Sequence, residues 1–104
     1  MDVVHTGLER RRTAPVAAAT EEAEAVDALW AHADPGDGLE HITARSCADR
    51  IDFLLFYLSR TPGRPSDAAD RAHLLITAAH RASPLLRQRY LPLEPSTSAG
   101  HPGC

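Results

Sequence analysis

The sequence predicts an all-α fold, a compact bundle of four to five helices, on three observations. Alanine occurs eighteen times in 104 residues, while aromatic residues make up only 5%, a mixture that favours closely packed helices over a sheet built from β-branched and aromatic side chains. Apolar residues recur at three- and four-residue steps in the middle of the chain. Proline, glycine and cap residues punctuate those stretches at helical lengths.

Residues 1–19 hold the basic run Arg10-Arg11-Arg12 and no sustained apolar period, and read as a flexible arm. A first helix follows from Thr20, with Ala23, Val26, Leu29, Trp30 and Ala33 on one stripe, Thr20 as its cap and Asp34-Pro35-Gly36 as its stop. Glu21, Glu22, Glu24 and Asp27 suit the positive end of its dipole. Asp37-Gly38-Leu39-Glu40 resembles a capping box opening a short second helix to about Arg45. Ser46-Cys47-Ala48-Asp49 reads as the cap of a third helix running through Ile51 to Leu58. That helix is apolar on almost every side, more than a single small core can cover, so a homodimer is expected. Thr61-Pro62-Gly63-Arg64-Pro65 breaks the chain. Ser66 caps a fourth helix with Ala72, Leu75, Ile76 and Ala79 on its stripe, and Ser83-Pro84 opens a fifth with Leu85, Leu86 and Tyr90. Residues 92–104, with three prolines and two glycines, read as a disordered tail. The ordered helical domain is 20–91.

Composition excludes several functions. All eleven basic residues are Arg, which removes Schiff-base lysine chemistry and the lysine of a phosphate loop. A net charge of −3 argues against nucleic-acid binding, and the four-residue Pro-Gly-Arg-Pro linker with acidic residues opening the fourth helix argues against a helix-turn-helix. The N-terminus lacks the order of a secretion signal, no run is long enough to span a bilayer, and two widely spaced cysteines imply no disulfide framework. A cytoplasmic protein without membrane association is expected.

No catalytic motif is present, and no cofactor or metal is expected. His73 and His80 are seven apart on one helix, about 10.5 Å along its axis, too far to share a metal. They read either as boundary histidines or as polar groups bordering a pocket. Arg45, Asp49 and Asp52 form a helical ridge, with Arg45 and Asp49 spaced for an i,i+4 ion pair. If the third helix is buried in a dimer, Asp52 needs a donor, for which Arg50, Arg71, Tyr57 or a ligand are candidates. Arg81, Arg87 and Arg89 with Tyr90 are either solvated or a place for an anionic or peptide ligand. Trp30 is read first as core and second as a ligand platform. Cys47, near a helix N-terminus, is a weak candidate for a reactive thiol.

In size, composition and organisation from Thr20 to Leu91, and in the stretches Asp37-Gly38-Leu39-Glu40-His41 and Asp52-Phe53-Leu54-Leu55-Phe56-Tyr57, the chain resembles the small helical accessory proteins that form the lysinoalanine bridge of cinnamycin-like lanthipeptides. The resemblance implies a dimer that folds a precursor peptide so that its Lys amine adds to a dehydroalanine, with the base supplied by a hydroxylated Asp of the substrate. Positioning alone is worth roughly 7–11 kcal/mol in such a reaction. It further implies that Arg71, Arg87 or Arg89 hold substrate carboxylates, that Trp30, Tyr57 and Tyr90 shape the pocket, and that His73 or His80 hydrogen-bonds near the reacting amine. The alternative is a non-catalytic helical dimer that binds and regulates a partner protein.

Overall fold

A computed structural model describes residues 2–14, 18–58 and 66–93. The all-α expectation is overturned: a three-stranded antiparallel sheet is combined with three helices. The chain runs β1 (Asp2–Glu9), α1 (Ala18–His32), a 3-10 turn (Pro35–Asp37), β2 (Leu39–Ser46), β3 (Arg50–Tyr57), α2 (Ser66–Ala82) and α3 (Pro84–Arg89). The sheet order is β1-β3-β2. β3 is therefore central and antiparallel to both neighbours, and α1 carries the chain from one edge of the sheet to the other.

The expected third helix is β3. Ile51, Phe53, Leu55 and Tyr57 are all fully buried, while the intervening Leu54 is 38% exposed. This is the period of a strand, hidden in the sequence because a central strand can be apolar on both faces. The expected second helix is β2. Its supposed capping box, Asp37 to Glu40, covers the last residue of the 3-10 turn, in which the Asp34 carboxylate accepts a 2.9 Å hydrogen bond from the Gly36 N–H, then Gly38 at φ 79° and the first two residues of β2. That left-handed residue reverses the chain into the strand rather than starting a helix. Ser46-Cys47-Ala48-Asp49, read as a helix cap, is the connection of the β2–β3 hairpin, closed by the Cys47 N–H on the Arg50 carbonyl at 2.8 Å.

The expected N-terminal arm contains β1, in which Val4, Thr6 and Leu8 alternate inward against exposed Val3, His5 and Glu9. Its β-branched residues favour the pleat. Regular structure is therefore present ahead of residue 20, over Asp2–Glu9. Register pairs Val3 with Phe56, His5 with Leu54, Gly7 with Asp52 and Glu9 with Arg50.

The helical expectations for α1, α2 and α3 hold in position. α1 begins at Ala18, so Thr20 lies within it rather than capping it. α3 is opened by the Ser83 hydroxyl, which accepts from the Leu86 N–H at 3.3 Å, with Pro84 in the first turn. The expected break at 61–65 lies outside the described residues, as does most of the expected tail; Pro92 and Leu93 carry no regular structure.

Both helical layers rest on one face of the sheet. Leu8, Ile42, Ile51, Phe53, Leu55 and Tyr57 meet Ala25 and Leu29 of α1 and Ala68, Ala72, Ile76 and Ala79 of α2. The abundant alanines are therefore used where helices lie close to the sheet and to each other, and few aromatics suffice because Phe53, Tyr57 and Tyr90 are all fully buried. α1 packs chiefly on β2, and α2 reaches β1. Beyond α3 the chain touches the end of β1 in an isolated bridge of Arg10 with Tyr90, with the Leu91 N–H on the Glu9 carbonyl at 2.8 Å.

Candidate functional site

The nine sequence-selected residues are scattered over the fold. Tyr57 is buried with the Arg71 guanidinium 5.2 Å from its ring centroid, a cation–π contact. His80 is buried, and its Nε2 lies 2.9 Å from the Tyr90 carbonyl. Tyr57 stands beside Asp2 and Tyr90 beside Arg10, so the backbone positions of the two tyrosines lie about 26 Å apart along β1. Trp30 is 41% exposed rather than core, and His73 and Arg87 are exposed. Arg89 pairs with Glu24 at 3.0 Å. Asp52 projects from the sheet face opposite the helices. These residues do not line one cavity.

Two carboxylate clusters emerge instead. The first closes the helical side. Glu21, fully buried, receives Arg10 Nη1 at 2.8 Å, the Ser46 hydroxyl at 3.2 Å and the Tyr90 hydroxyl. Arg10 also donates to the Cys47 carbonyl at 2.7 Å and lies 5.5 Å from the Tyr90 ring centroid. Burial, the bond to Glu21 and the charge of Glu21 push the Tyr90 phenol well above its ordinary value of about 10. Every group has its partner, and the cluster ties β1, α1, the β2–β3 connection and the C-terminal segment together. Sequence reading placed Glu21 in the first turn of a helix, for its dipole, and Arg10 in a flexible arm. No local signal links residues so far apart in the chain.

The second cluster lies on the open face of the sheet. Here the expected Arg45-Asp49-Asp52 helical ridge dissolves, since Arg45 stands across from Asp52 on neighbouring strands and Asp49 is in the hairpin connection. Asp52, 7% exposed, pairs with Arg50 Nε at 2.6 Å and lies 3.8 Å from His5 Nε2. Gly7 makes this possible. A Cβ there would stand 2.6 Å from Arg50 Nη2 and from the Ile51 carbonyl, and 2.9 Å from Asp52 Oδ1. The same face carries Val3, Leu54 and Leu58, exposed to 53%, 38% and 48%, with half-buried Phe56. The His41 ring stacks tilted on Phe56 at 5.6 Å. Apolar rows thus occupy one end of the face and the charged Gly7–Asp52–Arg45 and Glu9–Arg50 rows the other. Among the described residues no helix or strand covers it.

Among the described residues there is no group of three or more His, Cys, Asp or Glu side chains placed to hold a metal ion, and no helix is long and apolar enough to cross a membrane. Cys47 is buried and is not a free thiol, which removes the basis for reading it as a nucleophile. The open-face residues Val3, His5, Leu54, Phe56 and Leu58 escaped sequence reading, although the two-residue alternation of β1 carries the signal. Comparison of the chain with protein-family models, with curated proteins and with solved structures returns no match.

Proposed function

We propose that this chain is a non-catalytic interaction domain that binds a partner protein through the open face of its sheet. The observation that carries the reading is the uncovered row of Val3, Leu54, Phe56 and Leu58 beside the charged row of Arg45, Asp52 and Arg50. Contiguous exposed apolar surface bordered by charge is the ordinary mark of a protein contact. Asp52 is already neutralised by Arg50, whereas Arg45 is exposed, so the partner chemistry that fits is an apolar strip ending in a carboxylate. The partner-binding alternative drawn from the sequence survives in altered form, because the apolar excess assigned there to a helix is the second face of a central strand.

The peptide-maturation reading needs its aromatic, basic and imidazole groups around one reacting pair. Their separation, with Tyr57 and Tyr90 at opposite ends of β1, favours the interaction domain over it. A photo-crosslinking residue at position 54, and separately at position 74 on α2, tests the proposal in the full chain expressed in its own cells. A recurrent protein adduct at 54, lost on Arg45→Glu and absent at 74, is the expected result. Equal adducts at both positions contradict it. Conversion of a dehydroalanine-containing peptide to a lysinoalanine product, seen by fragmentation because the addition leaves the mass unchanged, would replace it with the maturation enzyme.

A further inference from the structure

The two edges of the sheet are not equivalent. The β2 edge is guarded: it has a bulge between Leu39 and His41, the Ser46 N–H is occupied by the Glu22 carboxylate at 2.8 Å, and α1 packs along it. These are the devices that keep a strand edge from pairing. Among the described residues the β1 edge has no bulge and no side chain on an outward N–H of residues 2–8, although α2 touches the strand from the helical face. Residues 2–8 read Asp-Val-Val-His-Thr-Gly-Leu, without proline, lysine or arginine, and among the described residues no strand lies beyond them.

The direction of the free groups follows from two hydrogen bonds. The Arg10 N–H donates inward to the Asp49 carbonyl, whereas the Glu9 carbonyl accepts outward from the Leu91 N–H. Alternation along an antiparallel strand then turns the N–H and C=O of Val3, His5 and Gly7 outward and those of Val4, Thr6 and Leu8 toward β3. The C-terminal segment closes the edge at Glu9, and among the described residues nothing pairs with residues 2–8, whose midpoint is His5.

We infer that a second copy of this chain pairs with the free β1 edge, antiparallel and in a register whose two-fold axis passes through His5. Val3 then pairs with the partner's Gly7, His5 with the partner's His5, and Gly7 with the partner's Val3. All are outward-facing on both strands, so the parity of the ladder is satisfied without a bulge. Asp2 falls opposite Leu8, and no two acidic groups oppose each other. An isologous contact of this kind closes on itself as a dimer.

The area of the open face points the same way. Three strands of this length present roughly 14 by 26 Å, or about 370 Å², under half of the ~800 Å² that each partner contributes to a standard interface. Edge pairing makes one six-stranded sheet whose open face approaches that size. The dimer deepens the interaction-domain reading but rests on the edge, not the face.

Native mass spectrometry and sedimentation of the full chain, with His5→Pro and Val3→Pro, provide the test. Both prolines remove only outward N–H groups, which an edge strand tolerates. The expected result is a wild-type mass of roughly 22 kDa, twice the 11.2 kDa chain, and monomeric proline variants with unchanged circular dichroism. A monomeric wild type, or proline variants that stay dimeric, overturns the inference. Should the variants unfold, amide exchange of the wild type decides: Val3, His5 and Gly7 slow about tenfold or more with rising protein concentration, while Thr6 and Leu8 stay protected throughout. Fast exchange at those three positions at every concentration overturns it. Arg45→Glu keeps the edge dimer and loses the partner adduct at position 54, which separates failure of the edge from failure of the face. A dimer abolished by Leu54→Asp and kept by both prolines places self-association on the face and refutes the edge.

Discussion

Glu21 and Asp52 are both carboxylates withdrawn from water, at 0% and 7% exposure, and each is neutralised by an arginine, yet they serve opposite sides of the molecule. Glu21 has three donors from three different parts of the chain, Arg10, Ser46 and Tyr90, beneath the helical layer. Asp52 has Arg50 on its own strand and His5 across the ladder, at the border between the apolar and charged ends of an uncovered face. A buried ion pair is thus not by itself a sign of function. What distinguishes the two is whether the surroundings are closed by the fold or, among the described residues, left open.

Substitution separates the two most sharply at Glu21. Glu21→Gln leaves Arg10 buried without a counter-charge and is expected to cost about 3–5 kcal/mol, read as a lowered denaturant midpoint. A loss no larger than that of a surface change would break the distinction. Gly7→Ala comes next. Its Cβ must displace the Arg50 guanidinium, the Ile51 carbonyl and Asp52 Oδ1, at a cost of about 1–3 kcal/mol, and combining it with Asp52→Asn should be less than additive because the two sites share Arg50.

Tyr90→Phe removes one hydrogen bond and is expected to cost roughly 1 kcal/mol near neutral pH, with a pH signature. Because the folded phenol titrates above its ordinary value of about 10, its stabilisation is complete below pH 10 and is lost as pH rises beyond it. The wild type should therefore lose stability above pH 10 more steeply than Tyr90→Phe, as thermal melts across that range will show. Leu54→Thr is expected to move stability by no more than about 0.5 kcal/mol while weakening partner capture. A large loss of stability there would mean that Leu54 belongs to the core.

The helices were legible in the sequence and the strands were not, for reasons visible at particular residues. Asp34-Pro35-Gly36 and Ser83-Pro84 mark helix boundaries through local backbone chemistry, which a sequence displays directly. Asp52-Phe53-Leu54-Leu55-Phe56-Tyr57 hides its two-residue period because a central strand carries apolar residues on both faces, and Asp37 to Glu40 mimics a cap pattern around a left-handed Gly38. The homodimer expected from that apolar excess rested on an all-round apolar helix, whereas the excess is the two faces of a central strand. Asp52 was identifiable as a carboxylate needing a donor, and Arg50 was among the donors named. Its companions Val3, His5, Leu54 and Phe56 became visible only through register, which places residues about fifty positions apart side by side.

The most direct test is side-chain footprinting of the full chain, purified and in extract of its own cells. If the open face is the contact surface, Val3, Leu54 and Leu58 become protected in extract, while Trp30 and Leu74, 41% and 71% exposed on the helical side, react as before. Protection of Trp30 and Leu74 with an unchanged sheet face would contradict the assignment and place the contact on the helices.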